Sequence, residues 1–309
     1  MNRLTLTGLF LAALLILSSC LRDDLQPCPP LQVTLSVKDK NYFNIDDAAK
    51  LGLLERKADD LPFRDYVHTL YYIVHDTLGN VVAEQKNTQV SDDAQTQTIT
   101  LPVDLPYGKY IVTVWGNMES EEPLGDNPTD AEMEAAGAAA NDIYLACDTF
   151  DYRYGKEAYT MGLERTKGNL LIKAEGIPDN IDFSTKSVED IYGKVDAAFR
   201  YSSLTDIQTE LEWEVQNEIQ SQTLMCPSPS YEGTTLGVSF IDRSAVAAQQ
   251  AASRAVSTRP ILRPADVHIT MGRNEITILK YVYDTEEDGF NIFLRVNDEW
   301  EQIHTMEID

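Results

Sequence analysis

The chain has 309 residues, with 50 Asp and Glu against 25 Lys and Arg, for a formal net charge of −25. Charge of that sign repels phosphate backbones and anionic lipid headgroups, so nucleic-acid binding is excluded as a reading and the acidity serves solubility. The length exceeds what one hydrophobic core usually organises, so two domains are expected, each large enough to bury a core without staples.

Residues 1–19 read as a signal peptide: a basic start at Arg3, an apolar run to Leu17, then small residues before Cys20. The run falls short of the ~20 apolar residues that span a bilayer, and "LSSC" ends it as a bacterial lipoprotein signal ends. Cys20 is therefore the expected lipid attachment point, carrying a thioether diacylglycerol and an amide-linked acyl chain, since two or more buried chains hold a protein on a membrane where one exchanges. Residues 20–30 form the tether, in which the prolines after Cys28 stiffen the exit from the membrane. The Asp23–Asp24 pair resembles the signal that sends lipoproteins of certain Gram-negative anaerobes to the outer face of the outer membrane. With Cys20 lipidated, Cys28, Cys147 and Cys226 remain, enough for one disulfide in an oxidising compartment. Cys28, at the entry to the first domain, and Cys147 within it are the favoured pair, although spacing leaves all three pairings open.

Strands dominate the chain beyond the tether. "LQVTLSV" from Leu31 alternates apolar and polar residues, and "DYVHTLYYIVHDTLGNVVAEQ" is a strand, a turn centred on Gly79 and a returning strand. Between them "NIDDAAKLGLLERKADD" reads as a short helix or irregular crossover. "TQTITLPVDL" supplies another strand. In "LPYGKYIVTVWGN", Pro106 fixes a turn, Gly108 offers it a positive φ, and a strand apolar on both faces comes directly after, as a central strand requires. In "NPTDAEMEAAGAAAND", Thr129 and Glu132 read as a capping box opening an alanine-rich helix. Asp126, Asp130 and Glu132 lack the spacing of a calcium loop, and acids in a first helical turn answer to the dipole.

A second set of strands starts near "LERTKGNLLIKAEG", where Thr166 to Asn169 read as a polar turn. The domains are thus 31–164 and 165–309. "TELEWEVQN", "TTLGVSFID", "ADVHITM", "NEITILKYVY" and "FNIFLRV" continue the pattern, interrupted by Ala245 to Pro264, an Ala/Ser/Gln-rich stretch with arginines at 254, 259 and 263 that reads as an exposed loop. The fold class is all-β, two tandem β-sandwiches with minor helical insertions.

No catalytic motif appears: no Gly-x-Ser-x-Gly elbow, no His-Glu-x-x-His, no phosphate or dinucleotide loop. His68 and His75, at an odd separation on one predicted strand, face opposite sides and share no metal. His268 and His304 have no neighbouring nucleophile to activate. Tyr152, Tyr154 and Tyr159 in "DYRYGKEAY" offer stacking surfaces for sugars, or simply a tyrosine-rich edge strand. The reading is a non-enzymatic protein with no catalytic residue, no metal site and no cofactor.

The lipobox, "DDLQPCPP", "YVHTLYYIVHDTLGN", "LPYGKYIVTVWGN", "LERTKGNLLIKAEG" and "FNIFLRVNDEW", in that order, resemble the FimB-type fimbrial anchor and tip lipoproteins of Gram-negative anaerobes across nearly the whole mature chain. It departs in the insertion after Asn117 and in the Ala245 to Pro264 stretch. The resemblance implies two transthyretin-like sandwiches, in which the Tyr110 equivalent tucks under the turn before it, joined to fimbrial stalk subunits by strand complementation at the outer membrane surface. It also implies an alternative, a tip adhesin or surface module that binds glycan or host protein. The candidate polymer-contact strand is the C-terminal one, with Phe290, Ile292, Leu294 and Val296 alternating and Trp300 beyond them. Stalk subunits of this class lose their first strand to an arginine-specific cut. Here no arginine lies between Cys28 and Ile45, and Arg56 and Arg64 are the first candidates.

Overall fold

A computed structural model describes residues 29–214, 218–229, 233–251 and 260–303. The chain is all-β, as expected, and its strands form two sandwiches in sequence.

The first is built on β1 (Gln32–Val37), β2 (Thr69–Asp76), β3 (Val81–Gln89), β4 (Gln97–Thr100), β5 (Gly108–Gly116), β7 (Tyr144–Tyr152) and β8 (Ala158–Arg165), in the order β3-β2-β5-β7-β8-β1-β4. The two layers join where β7 meets β8 over the short ladder Tyr144↔Arg165 and Leu145↔Glu164. In β1 the alternation seen in the sequence holds: Val33, Leu35 and Val37 point inward with Leu31 just before them. They meet Val112 and Val114 of β5 in one core. The β2–β3 hairpin turns at Gly79, φ 85°, and Asp76 accepts hydrogen bonds from the backbone of Leu78 and Asn80.

β5 lies between β2 and β7 and is buried on both faces. Tyr110 donates its hydroxyl to the Pro106 carbonyl at 2.7 Å, so the ring closes over the turn. Gly108 does not take the positive φ expected of it and already belongs to the strand. A Cβ there would lie 3.7 Å from the Tyr110 hydroxyl, an ordinary contact, so neither the backbone nor the ring requires glycine at this position.

The second sandwich faces β10 (Phe183–Asp196), β11 (Tyr201–Glu212), β13 (Thr234–Ile241), β14 (Ile261–Leu262) and β15 (Val267–Ile269) against β12 (Glu218–Met225), β9 (Gly168–Glu175), β16 (Ile276–Asp284), β17 (Gly289–Val296) and β18 (Glu299–Ile303). Leu170, Val188, Leu236, Phe240 and Tyr281 fill the space between them.

Two further expectations fail. The insertion after Asn117 is not an alanine-rich helix: it holds 3-10 turns at Pro128–Asp130 and Ala135–Ala138, with a strand, β6 (Glu132–Glu134), between them. Ala131, Met133 and Ala135 are buried while Glu132 and Glu134 are exposed, and this period of two defeats helix propensity because β6 pairs with Lys194–Asp196 of β10. The Ala245 to Pro264 stretch begins as a helix, α2 (Arg243–Ala251), because Asp242 accepts from the Ala245 amide at 2.8 Å as an N-cap; residues 252–259 lie outside the described residues. The crossover helix is present as α1 (Ile45–Lys50).

The sandwiches exchange covers. Ile45 and Ala48 of α1 pack with Tyr42 on Leu171, Ile276 and Ile278, the outer face of the second sandwich. In return Val195 joins the insertion's Leu124 and Met133 over Tyr71, Ile73 and Trp115, the outer face of the first. The polar turn read at Thr166 to Asn169 lies at a buried junction, with Thr166, Lys167 and Asn169 all inaccessible.

Two substitutions test this packing. Gly168→Ala places a Cβ 2.3 Å from the Gly272 carbonyl oxygen and 2.6 Å from Met271 Sδ, and should lower the unfolding free energy in urea by about 3 kcal/mol. Tyr110→Phe removes only the hydroxyl and should cost about 1 kcal/mol; a neutral result would mean the turn holds without it.

Candidate assembly interface

The faces and edges of the sheets are where strands of one chain can meet another. The N-terminal strand is not an edge: β1 pairs antiparallel with β4 and parallel with β8, Gln32↔Thr100 and Gln32↔Ala158 marking its first register. Just ahead of it, Tyr152 donates to the Pro29 carbonyl at 2.8 Å, and the Leu31 carbonyl accepts from the Leu101 amide. Chain arriving from the N-terminal side is therefore held before it enters the core. Cys20 and Cys28 lie outside the described residues. Cys147 sits exposed on β7 opposite Thr113, and Cys226 is buried, each a free thiol among the described residues. Burial pushes the Cys226 thiol up to about 11, which keeps it protonated and unreactive.

Arg56 and Arg64 are both exposed on the crossover from β1 to β2, Arg56 beside Asp46 at 3.2 Å and Arg64 beside Asp93 at 2.5 Å. A protease can reach either.

The residues of the expected contact strand lie in β17 and β18. Phe290 stacks on Phe240 at 5.2 Å and meets Tyr283 edge-on, Ile292 is buried, and Leu294 packs on the second core. Val296 is half-buried at the end of β17. Both backbone edges of β17 are used, by β16 and by β18. Trp300, on β18, lies under the Lys280 ammonium at 4.7 Å and packs on the α1 cluster. β18 is the outer strand of its sheet, and residues 304–309 lie outside the described residues.

Of the three tyrosines offered for stacking, Tyr152 is fully buried and Tyr159 stacks on Phe150 at 4.3 Å; Tyr154 is exposed. His68 precedes β2 while His75 is buried within it, its Nδ1 at 3.0 Å from the Asp76 carbonyl. Among the described residues no group of three His, Cys, Asp or Glu is placed to hold a metal.

Sequence reasoning missed the charged groups of the junction. Arg165 lies between the rings of Tyr42 and Tyr144, at 4.3 and 5.0 Å, and donates Nε to Asp142 Oδ2 at 2.7 Å and Nη1 to Asn274 Oδ1 at 3.0 Å. Arg273 bridges Asp39 and Glu164 at 3.0 and 2.7 Å. Lys167 donates to the Asn141 carbonyl at 3.1 Å. The available signal was basic side chains clustered at a boundary in an acidic chain. A second buried amine, Lys186 of β10, sits inside the C-terminal sandwich, donating to Thr223 Oγ1 and 3.5 Å from Ser221 Oγ. Burial pulls both lysines down to about 8.

No family model matches the sequence, and no curated protein does. Solved structures do. A candidate adhesin from Bacteroides thetaiotaomicron matches over 91% of this chain and 100% of its own, with a TM-score of 0.58 at 12% identity. A candidate polysaccharide-binding protein from the same species matches over 89% and 98%, TM-score 0.55 at 11% identity. A candidate adhesin from Bacteroides ovatus matches over 93% and 98%, TM-score 0.52 at 13% identity. This chain shares the fold of these proteins over 89% to 93% of its length, in agreement with the fold implied by the resemblance read in the sequence.

The buried amines set a pH dependence. An unfolded lysine titrates near about 10.4, so between pH 8 and that value the unfolded chain binds more protons than the folded one and stability rises with pH. Above pH 10 the buried hydroxyls of Tyr42, Tyr144 and Tyr281, which burial holds well above the usual range, reverse the slope. Urea titrations at pH 8 and pH 9.5 should show the rise, and Lys186→Met should reduce it by about 1.5 kcal/mol; an equally steep rise in the variant would contradict a depressed amine.

Proposed function

We propose that this chain is a non-enzymatic subunit of an adhesive fimbria, held on the outer membrane by lipid on Cys20 and serving as the base to which stalk subunits attach. In this reading residues 31–164 and 165–309 are its two sandwich domains. The observation that carries it is the seat of β1: the strand nearest the anchor is flanked on both sides and buried in the first core, so tension from the membrane enters the fold as shear along two ladders. The adhesin-type fold supports the surface role, and the arginine-free stretch from Cys28 to Ile45 supports retention of that strand.

A second reading, a tip adhesin or glycan-binding surface protein, draws on the fold shared with the candidate polysaccharide-binding protein and on exposed Tyr154. Cys20→Ala separates the two. In the base reading, electron microscopy and a blot of medium against cells show filaments shed, and abnormally long. Filaments that stay attached at normal length move the assignment to the tip or to a free-standing binding protein.

A further inference from the structure

The first sandwich has two unlike ends. At one, β7 meets β8 at Tyr144↔Arg165, and Arg165 reaches Asn274 of the second sandwich. The strand registers bring three connections together at the other: Asp76 stands opposite Tyr110, Gly108 opposite Tyr152, and Gln32 opposite both Thr100 and Ala158. The turn 77–80, the loop 101–107 and the loop 153–157 therefore leave the body side by side. The chain enters among them, because the Pro29 carbonyl is held by Tyr152, whose ring meets Tyr107 edge-on at 5.0 Å.

This end is apolar where it meets solvent. Among the described residues eight large apolar side chains stand exposed, and five of them are here: Leu78, Val81, Val103, Tyr107 and Tyr154. Leu78 and Tyr154 are 85% and 84% exposed, the most of the eight. Scattered singly such residues need no explanation, but gathered on one end they mark a contact surface. Charge on the three connections is balanced, Asp104 and Glu157 against Arg153 and Lys156, in a chain whose net charge is −25. Tyrosine rings settle at the level of lipid headgroups, with aliphatic side chains at the acyl boundary. A neutral end also escapes the repulsion that an acidic body meets at an anionic surface.

Chain length decides which lipid surface is in reach. Cys20 precedes Pro29 by nine residues, and an extended chain spans at most about 3.6 Å per residue, so a lipidated Cys20 lies within about 32 Å of this end. We propose that Leu78, Val103, Tyr107 and Tyr154 enter the headgroup layer of the membrane that carries the lipid on Cys20, so that the first sandwich stands end-on and the second points away from the surface. The proposal rests on the anchor reading and adds how the folded body meets the membrane. Acyl chains on a tether leave the body free to swing, whereas side chains seated at three separate tips fix its axis.

The test uses the lipidated full chain in phosphatidylcholine vesicles, with and without brominated acyl chains that quench nearby tryptophan. Tyr154→Trp and Val103→Trp report from the tips; Glu286→Trp, on the exposed β16–β17 turn at the far end of the second sandwich, is the control. All three positions are exposed, so each variant should keep the parent's melting temperature. The emission added at 154 and at 103 should fall by about half in brominated vesicles, and that added at 286 should not change. Leu78→Asp together with Val103→Asp, placed in the Tyr154→Trp chain, should restore most of the lost emission. Tips unaffected by bromine, equal quenching at position 286, or quenching that survives the two aspartate substitutions each overturn the end-on contact. Flotation with the vesicles is read separately. A chain that does not float lacks its lipid and sinks the anchor reading together with this contact, whereas a chain that floats with unquenched tips sinks the contact alone.

Discussion

The arrangement of the two sandwiches depends on one buried guanidinium. Arg165 ends the last strand of the first sandwich, and its side chain is sandwiched between Tyr42 from the crossover and Tyr144 from β7. Its hydrogen bonds go to Asp142, at the end of the insertion, and to Asn274, in the turn before β16. Four segments distant in sequence thus meet at one charge. Taking that charge out of water is expensive, and only the paired carboxylate, the amide oxygen and the two ring faces together offset it. The planar fork of arginine serves this role where lysine, a point charge, could not meet acceptors and rings at once.

Around that charge the cores are interlocked. Each sandwich lends a segment to the other: α1 covers Leu171, Ile276 and Ile278, while Val195 and the insertion cover Tyr71, Ile73 and Trp115. Asn44 adds a two-way clasp, its side-chain amide donating to the Ile276 carbonyl at 2.7 Å and accepting from the Ile276 amide at 2.9 Å. A tandem joined by a bare linker would hinge under load. Here separation would expose two apolar faces and break buried polar contacts together, so a pull on one sandwich is transmitted to the next.

Much of this was legible in the sequence and some was not, for physical reasons. Strands with strict alternation, such as β1 and β13, were readable because one face of each meets a core. The β2–β3 turn announced itself through Gly79. Tyr110 was placed by its motif, although Gly108 does not take the positive φ expected of it. The insertion misled because alanine content and a capping-box spacing suggested helix, while the deciding fact was a partner strand, β10, some sixty residues further on. The stretch from Thr166 to Asn169 was readable as a polar turn, but only the packing of the second sandwich reveals that these groups are buried, with Thr166 and Lys167 bonded to carbonyls of other segments. The residues of the C-terminal strand alternate as read, yet alternation alone does not say whose core they fill.

Sheet edges then separate what is protected from what is available. The outer strands of the first sandwich carry familiar safeguards against unwanted pairing: β3 is mostly polar along its length and β4 is only four residues long. β18 is held under Lys280 and Arg295, whose cations lie over Trp300. The free edge of β11 carries charge instead, with Asp206, Glu210 and Glu212 exposed along it. Asp206 and Gln208 alternate there with Thr205, Ile207 and Thr209 in the lining of the adjoining groove, so an acid and an amide stand where an unwanted strand would pair.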